Sequence, residues 1–291
     1  MLIRENMELL ERTYLSPFAT LSENSKGRDR EEPQCDIRPV FQRDRDRILH
    51  CKSFRRLRHK TQVFLTPQGN HYRTRLTHTL EVSQNARTIA KALRLNEDLV
   101  EAIALGHDLG HTPFGHAGEH MLNSICEKGF KHNCQSVRIV EVLEKGGKGL
   151  NLTWEVRDGM LNHQTSLMPS TLEGKIVRLS DKIAYINHDI DDAIRGKVLS
   201  EQDIPAEYRE ILGNTTRMRL NTLIHNIISN SVGKNDICMS EDVEQAMKGL
   251  RKFMFENVYR NPVAKGEEER AKDLLSRLFY YYSKNIDQLP E

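Results

Sequence analysis

Residues 104–120, ALGHDLGHTPFGHAGEH, concentrate imidazole and carboxylate side chains in one short stretch. Imidazole and carboxylate are common ligands of Zn, Mn, Fe and Ni. Polar groups aimed into a protein core are costly unless they coordinate a metal or pair with one another. We therefore interpret the stretch as part of a metal-dependent or acid–base site. Its histidines and acids are His107, Asp108, His111, His116, Glu119 and His120.

Two predicted helices would position these side chains. The i, i+4 spacing of His107 and His111 places both on the apolar stripe of a first helix. Residues 112–113, Thr-Pro, supply a predicted N-cap followed by proline at the first helical position, so a second helix is expected to start there. His116 and Glu119 share one face of that helix. A paired histidine and carboxylate of this kind suits general acid–base catalysis.

Two polar residues elsewhere in the chain complete a possible metal site. His78 lies beside the apolar stripe of one predicted helix, and Asp181 lies on another whose neighbouring residues are mostly apolar. Together with His107 and Asp108 they provide two imidazoles and two carboxylates. An octahedral ion held by these four ligands keeps positions open for water and a substrate oxygen. Nearby donors for phosphate oxygens are Arg75, Lys182 and Tyr185.

Composition limits the class of protein. The chain has 291 residues, 38% of them hydrophobic and 29% charged, which suits a helix-rich protein with a real core. No apolar run approaches the roughly 20 residues that span a bilayer, and the N-terminus lacks the apolar core of a secretory signal. The five cysteines show no CxxC spacing. We expect free thiols, a cytoplasmic location and no association with membranes.

Apolar periodicity predicts an all-α fold, a compact multi-helix bundle. The only plausible hairpin lies near residues 62–72, where a short apolar run precedes a Thr-Pro-Gln-Gly-Asn turn. Helices are predicted over residues 4–15, 43–59, 76–94, 97–111, 133–145, 153–163, 171–195, 205–229, 240–258 and 266–285.

The order of the candidate ligands, His78, then His107-Asp108, then Asp181, resembles the H…HD…D pattern of the HD superfamily of metal-dependent phosphohydrolases. Longer stretches are similar to the deoxynucleoside triphosphate triphosphohydrolases, specifically their bacterial dGTPase-like branch. The resemblance runs from about Arg12 to Arg195. It implies a single HD-domain unit over 1–291, with a core over 1–195 and a C-terminal helical extension over 196–291. The matching stretches are FRRLRHKTQV at 54–63, RLTHTLEV at 75–82, GHDLGHTPFGHAGE at 106–119 and LSDKIAYINHDIDDA at 179–193.

The resemblance implies hydrolysis of a dNTP to a deoxynucleoside and inorganic tripolyphosphate. It assigns one divalent ion (Mn, Mg, Fe, Ni or Zn) to the four candidate ligands above. His116 would be the general acid, held by Glu119, while His111 would touch the α-phosphate and His132 is a further catalytic candidate. Triphosphate binding and recognition of the sugar 3′-hydroxyl would fall to Gln62, Arg75, Lys182, Tyr185 and Asp189.

The resemblance also implies partners, and two other functions stay open. Family members form tetramers or hexamers, so we expect a homo-oligomer. The first alternative is an HD phosphodiesterase or nucleotidase that acts on another nucleotide. The second is a non-catalytic regulator that binds an allosteric dNTP or single-stranded DNA through the basic segment 43–60, whose lysines and arginines could contact phosphates.

Overall fold

A computed structural model describes residues 2–61, 73–259 and 262–289, except for the side chains of residues 259 and 262–267. Within these ranges the fold is all-α, as predicted, and the only β pairings are isolated bridges between Arg28 and Thr153 and between Thr61 and Thr74. The predicted hairpin near 62–72 lies outside the described residues. The regular α-helices in these ranges are Ile3–Tyr14 (α1), Val40–Leu49 (α2), Lys52–Arg56 (α3), Arg75–Leu93 (α4), Glu97–Gly106 (α5), Gly115–Ile125 (α6), His132–Arg138 (α7), Trp154–Leu161 (α8), Leu172–Arg195 (α9), Ala206–Leu212 (α10), Thr216–Ser231 (α11), Glu241–Met254 (α12) and Pro262–Lys284 (α13). A four-residue helical segment, Glu144–Gly147, is irregular because Lys145 and Gly146 have left-handed backbone angles.

Helices α4, α5 and α9 pack together at the centre of the molecule. Ile89 on α4, Ile103 on α5 and Ile183 on α9 are completely buried and belong to one continuous hydrophobic core. Each such side chain contributes roughly 1.5–3 kcal/mol by its removal from water. The three helices therefore form a rigid frame for the polar residues they carry.

Side-chain caps fix where two of these helices begin. The Thr74 hydroxyl accepts a hydrogen bond from the Thr77 backbone N–H at the start of α4. Thr171 does the same for Gly174 at the start of α9, with a distance of 3.0 Å. At the start of α5 the Asn96 side chain accepts from the Leu99 N–H at 3.2 Å. Each cap satisfies a backbone donor that the helix itself leaves unpaired.

The corner between α5 and α6 differs from the prediction. Helix α5 ends at Gly106, so His107 and His111 lie in the turn that follows and not on the helix itself. Helix α6 begins at Gly115 and not at residues 112–113, since Phe114 adopts a left-handed conformation with φ 61°. The turn nevertheless buries both histidines, with 0% and 4% of their surfaces exposed.

Three other predicted helices are interrupted. The segment predicted as one helix over 43–59 is divided into α2, α3 and a 3₁₀ turn, and the helix predicted over 205–229 is broken at Gly213 into α10 and α11. Gly213 has φ 112°, a conformation that side-chain-bearing residues avoid. The predicted 133–145 helix becomes α7 followed by a π-helical turn, Ile139–Leu143.

The C-terminal helices pack on the frame. Helices α11 and α12 contact α9, and α13 contacts α6. Leu223, Ile227 and Leu250 are almost fully buried in the same hydrophobic core as α4, α5 and α9. None of the helices in the described ranges is long and apolar enough to cross a bilayer.

Candidate active site

Four predicted ligands from three parts of the fold converge at one point. His78 lies on α4, His107 and Asp108 directly follow α5, and Asp181 lies on α9. The His78 Nε2 atom is 3.1 Å from Asp181 Oδ1. The His107 Nε2 atom is 3.6 Å from Asp108 Oδ1 and 3.7 Å from Asp181 Oδ1. Ligand atoms of His78, His107 and Asp108 all lie within 4.8 Å of one another, a spacing that can hold a metal ion.

The hydrogen bonding of the His107 ring fits a cation bound at this cluster. Its Nδ1–H donates to the Ala104 carbonyl at 2.7 Å, which directs the Nε2 lone pair toward the two carboxylates. The Nε2 atom is buried and has no hydrogen-bond partner among the described residues. A metal ion bound by this atom and the neighbouring carboxylates would satisfy it, so the residues present fit a divalent ion.

The electrostatics of the cluster agree with this interpretation. Burial alone would lower the pKa of His107, but Asp108 and Asp181 raise it to about 9. Burial alone would raise the pKa of Asp181, but the imidazoles of His107 and His78 hold it well below its usual range. Burial alone would also raise the pKa of Asp108, but His107 holds it well below its usual range, so both carboxylates are ionised.

Arg75 contacts this cluster from the start of α4. Its Nη1 donates to Asp108 Oδ2 at 2.7 Å, and both side chains are buried. Arg75 was predicted to bind phosphate, and the structure places it in an ion pair with a candidate metal ligand. It can therefore orient Asp108 while it adds positive charge next to the site.

A second group of polar residues adjoins the first through His111. The His111 Nε2 atom is 3.6 Å from Asp108 Oδ1, and its ring stacks on His132 with centroids 4.0 Å apart. Burial, together with the charge of Arg75, keeps the pKa of His111 well below its usual value. His111 is therefore a neutral imidazole between the candidate metal ligands and His132.

Glu119 holds two of the predicted catalytic histidines. His116 Nδ1 lies 3.2 Å from Glu119 Oε2, and His132 Nδ1 lies 2.9 Å from Glu119 Oε1. Burial alone would raise the pKa of Glu119, but these histidines hold it well below its usual range. The side chain of His116 is 72% exposed and that of His132 only 7%. The carboxylate thus has an exposed and a buried histidine partner.

Helix α9 carries the other predicted substrate residues. Burial and the nearby charges of Arg178 and Arg251 lower the pKa of Lys182 to about 8. Asp189 is fully buried. Tyr185 lies between them on the same helix, and its hydroxyl accepts from Arg251 Nε of α12 at 3.2 Å. Gln62 lies outside the described residues.

No role is predicted from the sequence for His163, His188 or Arg251. His163 is buried at the end of α8, and its Nε2 lies 3.1 Å from His132 Nε2. His188 lies behind His78, with their Nδ1 atoms 3.3 Å apart. Each is remote in sequence from its partner. For the two histidines the sequence gives one weak indication, since each lies among apolar residues on a predicted helix or at its end.

Three of the eight lysines and arginines in the basic segment 43–60 are paired with acids. Arg43 and Arg47 both contact Glu32, at 3.1 and 2.5 Å, and Arg45 contacts Asp98 at 2.8 Å. A cavity of about 480 Å³ nevertheless adjoins this segment. Its lining includes Arg38, Arg43, Arg47, His50, Lys52, Arg55 and Lys145.

Comparison with known proteins identifies two family profiles that match parts of this chain and relatives that align with the whole of it. An HD domain profile matches residues 75–186, and a phosphohydrolase-associated domain profile matches residues 237–291. A deoxyguanosinetriphosphate triphosphohydrolase-like protein of Caldanaerobacter subterraneus subsp. tengcongensis is 61% identical over 291 residues, which cover 100% of this chain and 86% of that protein. A protein of the same name from Clostridium tetani is 50% identical over 302 residues, with coverage of 100% and 86%.

One solved structure has a similar fold. A hypothetical protein from Aquifex aeolicus superposes with a TM-score of 0.53 at 21% sequence identity, over 81% of this chain and 60% of that one. At this identity the similarity concerns the fold alone.

Proposed function

Because this chain belongs to the HD-domain family of deoxyguanosinetriphosphate triphosphohydrolase-like proteins, we propose that it hydrolyses deoxynucleoside triphosphates to a deoxynucleoside and inorganic tripolyphosphate. One observation carries the proposal. The Asp108 carboxylate faces the candidate metal ligand His107 on one side and His111 on the other, and His111 stacks on the His132–Glu119 pair. Metal ligands and acid–base residues therefore lie side by side.

The residues of the first group would hold the ion and the phosphates. A divalent ion bound by His78, His107, Asp108 and Asp181 would supply Lewis-acid stabilisation of phosphate charge. Arg75 keeps Asp108 oriented through its 2.7 Å contact. Lys182 follows Asp181 directly on α9 and would add a cation for the remaining phosphate oxygens.

His116 would be the general acid for the leaving 5′ oxygen. Its Nδ1 faces Glu119, which leaves Nε2 to carry the proton toward substrate. Exposure of His116 is compatible with this role because a bound nucleotide would cover it. Both ring nitrogens of His132 face other side chains, Glu119 and His163, so His132 is better placed to orient Glu119 than to donate a proton to substrate.

Selection of a deoxyribose would depend on α9. Asp189 lies two turns after Asp181, and Tyr185 lies between them. We assign Asp189, with Gln62, to the sugar 3′-hydroxyl, and Tyr185 to the exclusion of a 2′-hydroxyl. The hydrogen bond from Arg251 to the Tyr185 hydroxyl would hold the ring in one orientation, where it could block a 2′-hydroxyl.

Two further properties remain part of the proposal. We expect a homo-oligomer, by analogy with the family. The main alternative reaction is that of an HD phosphodiesterase or nucleotidase on another nucleotide. A regulatory dNTP or single-stranded DNA would find cations at the cavity beside Arg38, Arg47 and Arg55. Of these, Arg38 is paired with Asp46 and Arg47 with Glu32.

Product analysis tests the reaction. Purified protein is incubated with each dNTP in Mn²⁺ or Mg²⁺, and the phosphate products are separated by anion-exchange chromatography. We expect tripolyphosphate and deoxynucleoside in equal amounts. Release of orthophosphate or pyrophosphate as the first product would favour the nucleotidase alternative. Salt-dependent binding of single-stranded DNA without turnover would favour the regulator.

A further inference from the structure

His78 is held from behind by a chain of polar side chains that the proposed reaction does not use. Its Nε2 faces Asp181, and its Nδ1 lies 3.3 Å from the Nδ1 of His188 on α9. The rings meet nearly at right angles, at 87°, with centroids 5.4 Å apart. His188 is only 3% exposed, so its contact with His78 lies in the protein interior.

The chain continues to a carboxylate that is itself fixed. His188 Nε2 contacts Glu81 Oε2, and Glu81 lies three residues after His78 on the same face of α4. Arg73 Nε donates to both Glu81 oxygens, at 3.3 and 3.2 Å. Arg73 Nη1 also donates to Asp191 on α9 at 2.7 Å. Glu81 therefore cannot rotate away without breaking an ion pair.

Hydrogen bonding around the chain selects one tautomer of each imidazole. When His78 binds an ion through Nε2, its Nδ1 must carry the proton and donate to His188 Nδ1. His188 Nδ1 is then the acceptor, so the His188 proton resides on Nε2 and is donated to Glu81. Each contact is satisfied in this arrangement. If His78 carried its proton on Nε2, His188 Nε2 would have no proton to donate to Glu81 unless His188 were charged.

We propose that His188 and Glu81 form a positioning pair that fixes the tautomer and ring orientation of His78 for metal binding. This inference rests on the metal site of the proposed function. In many metal sites a carboxylate directly orients the histidine that binds the metal. Here a second imidazole, that of His188, would lie between the Glu81 carboxylate and the metal-binding His78. Neither residue belongs to the proposed ligands of the ion or of the substrate, so their effect would be on metal affinity through His78.

Three variants test the proposal. His188→Phe keeps an aromatic ring but removes the acceptor for His78 and the donor for Glu81. His188→Gln restores both groups on a flexible side chain. Glu81→Gln removes the charge that orients His188. The matched control is Glu97→Gln, the same change in a surface ion pair with Arg87, where the closest atoms are 3.5 Å apart.

The measurement is calorimetric titration of chelator-stripped protein with Mn²⁺ alone. We expect the dissociation constant of the His188→Phe variant to rise about 10–100-fold, the typical effect of losing such a supporting contact. Glu81→Gln should give a smaller rise of about 3–10-fold, on the same basis. The His188→Gln variant should recover most of the lost affinity, and Glu97→Gln should match the wild type. Unfolding of the stripped proteins is recorded in parallel, since a purely structural role would lower stability and leave the affinity unchanged.

Unchanged Mn²⁺ affinity in His188→Phe, or absence of Mn²⁺ binding by the wild type, would overturn the proposal. If His188→Phe does not fold, an unchanged affinity in Glu81→Gln overturns it instead. Because no nucleotide is present in the titration, failure of dNTP hydrolysis would refute the proposed reaction and leave this result standing.

Discussion

Glu119 accepts hydrogen bonds from two histidines that differ in exposure, and this asymmetry suggests different duties for them. His132 is buried and engaged at both ring nitrogens, by Glu119 and by His163. His116 is exposed and engaged at Nδ1. An acid that protonates a leaving group needs a ring nitrogen that substrate can reach, so the exposed His116 is the better candidate of the two.

Replacing His116 by alanine should therefore remove the acid and leave the metal site intact. We expect kcat to fall by about 10²–10⁴-fold, the usual contribution of positioned acid–base catalysis, with unchanged metal content. Glu119→Gln should cause a smaller loss, because it disturbs orientation and not the acid itself. Single-turnover kinetics and metal analysis give both quantities.

The matched control is His120→Ala, which removes an exposed histidine from the same helix. It should retain the wild-type rate. A near-wild-type rate in His116→Ala, or loss of its metal, would shift the role to His111 or His132.

Lys60 gives a pH-dependent prediction for stability. Its ammonium donates to the Leu109 carbonyl at 3.1 Å, and burial lowers its pKa to about 8. In the unfolded chain the pKa returns to about 10.4, so the unfolded state binds more protons between these values. The free energy of unfolding should then rise with pH across this window.

Comparison with Lys60→Met isolates this contribution. Between pH 8 and 10.5 the wild type should gain about 1–3 kcal/mol relative to the variant, by the linkage relation. Urea denaturation at several pH values measures it. Lys91→Met, at an exposed lysine of α4, is the control and should show no such trend. A pH-independent difference for Lys60→Met would contradict the prediction.

Sequence patterns could indicate those site residues that lie in dense motifs. His107 and Asp108 adjoin each other, and Asp181 interrupts an apolar helix, so their types and positions were informative. His163 and His188 were not found because their partners, His132 and His78, are 31 and 110 residues away in the chain. Such contacts arise only when helices pack, and helical periodicity carries no information about them.

At the scale of elements, helical periodicity predicted where most helices lie but not where the turns that carry chemistry begin. The apolar periodicity of α5 extends along the sequence through His111, whereas the helix itself ends at Gly106. The backbone of Phe114 adopts a left-handed conformation, which residues other than glycine seldom adopt. Tertiary packing of this corner against α7 overrides the local preference.

Gly110 shows how close that packing is. A Cβ atom placed on it would lie 2.2 Å from the Ser136 backbone nitrogen and 2.4 Å from the His132 carbonyl oxygen. The Gly110 N–H also donates to the Ser136 hydroxyl at 2.9 Å. The turn after α5 and helix α7 are therefore in backbone contact, and this contact fixes the distance between His111 and His132.

Gly110→Ala should separate these two elements. We expect a loss of about 1–3 kcal/mol in the free energy of unfolding, or more if the backbone cannot shift, together with a reduced kcat. Gly196→Ala, after α9, is the matched control, since its Cβ would come no closer than 3.3 Å to Asp192 O. Denaturant titrations of both variants measure the effect. Equal stability of the two variants would show that α7 tolerates displacement.

At the scale of the whole molecule, the candidate metal site ties together segments that are distant in sequence. Helices α4 and α9 and the turn after α5 each supply candidate ligands, and the same elements form the centre of the hydrophobic core. Ion binding should therefore be linked to global stability and not only to turnover.

Removing the ion should lower the melting temperature of the entire chain. A ligand that binds only the folded state at 100 times its dissociation constant adds about 2.7 kcal/mol to the free energy of unfolding. For a chain of this size that corresponds to a rise of roughly 5 °C, at about 2 °C per kcal/mol. Differential scanning calorimetry of chelator-stripped protein, with and without Mn²⁺, measures the shift. Asp181→Asn should abolish it, whereas Asp273→Asn, in an exposed ion pair of α13 with Arg277 at 2.9 Å, should preserve it. A shift that survives in Asp181→Asn would mean that the ion binds elsewhere, and no shift in the wild type would mean that these four side chains pair with one another and do not hold a metal.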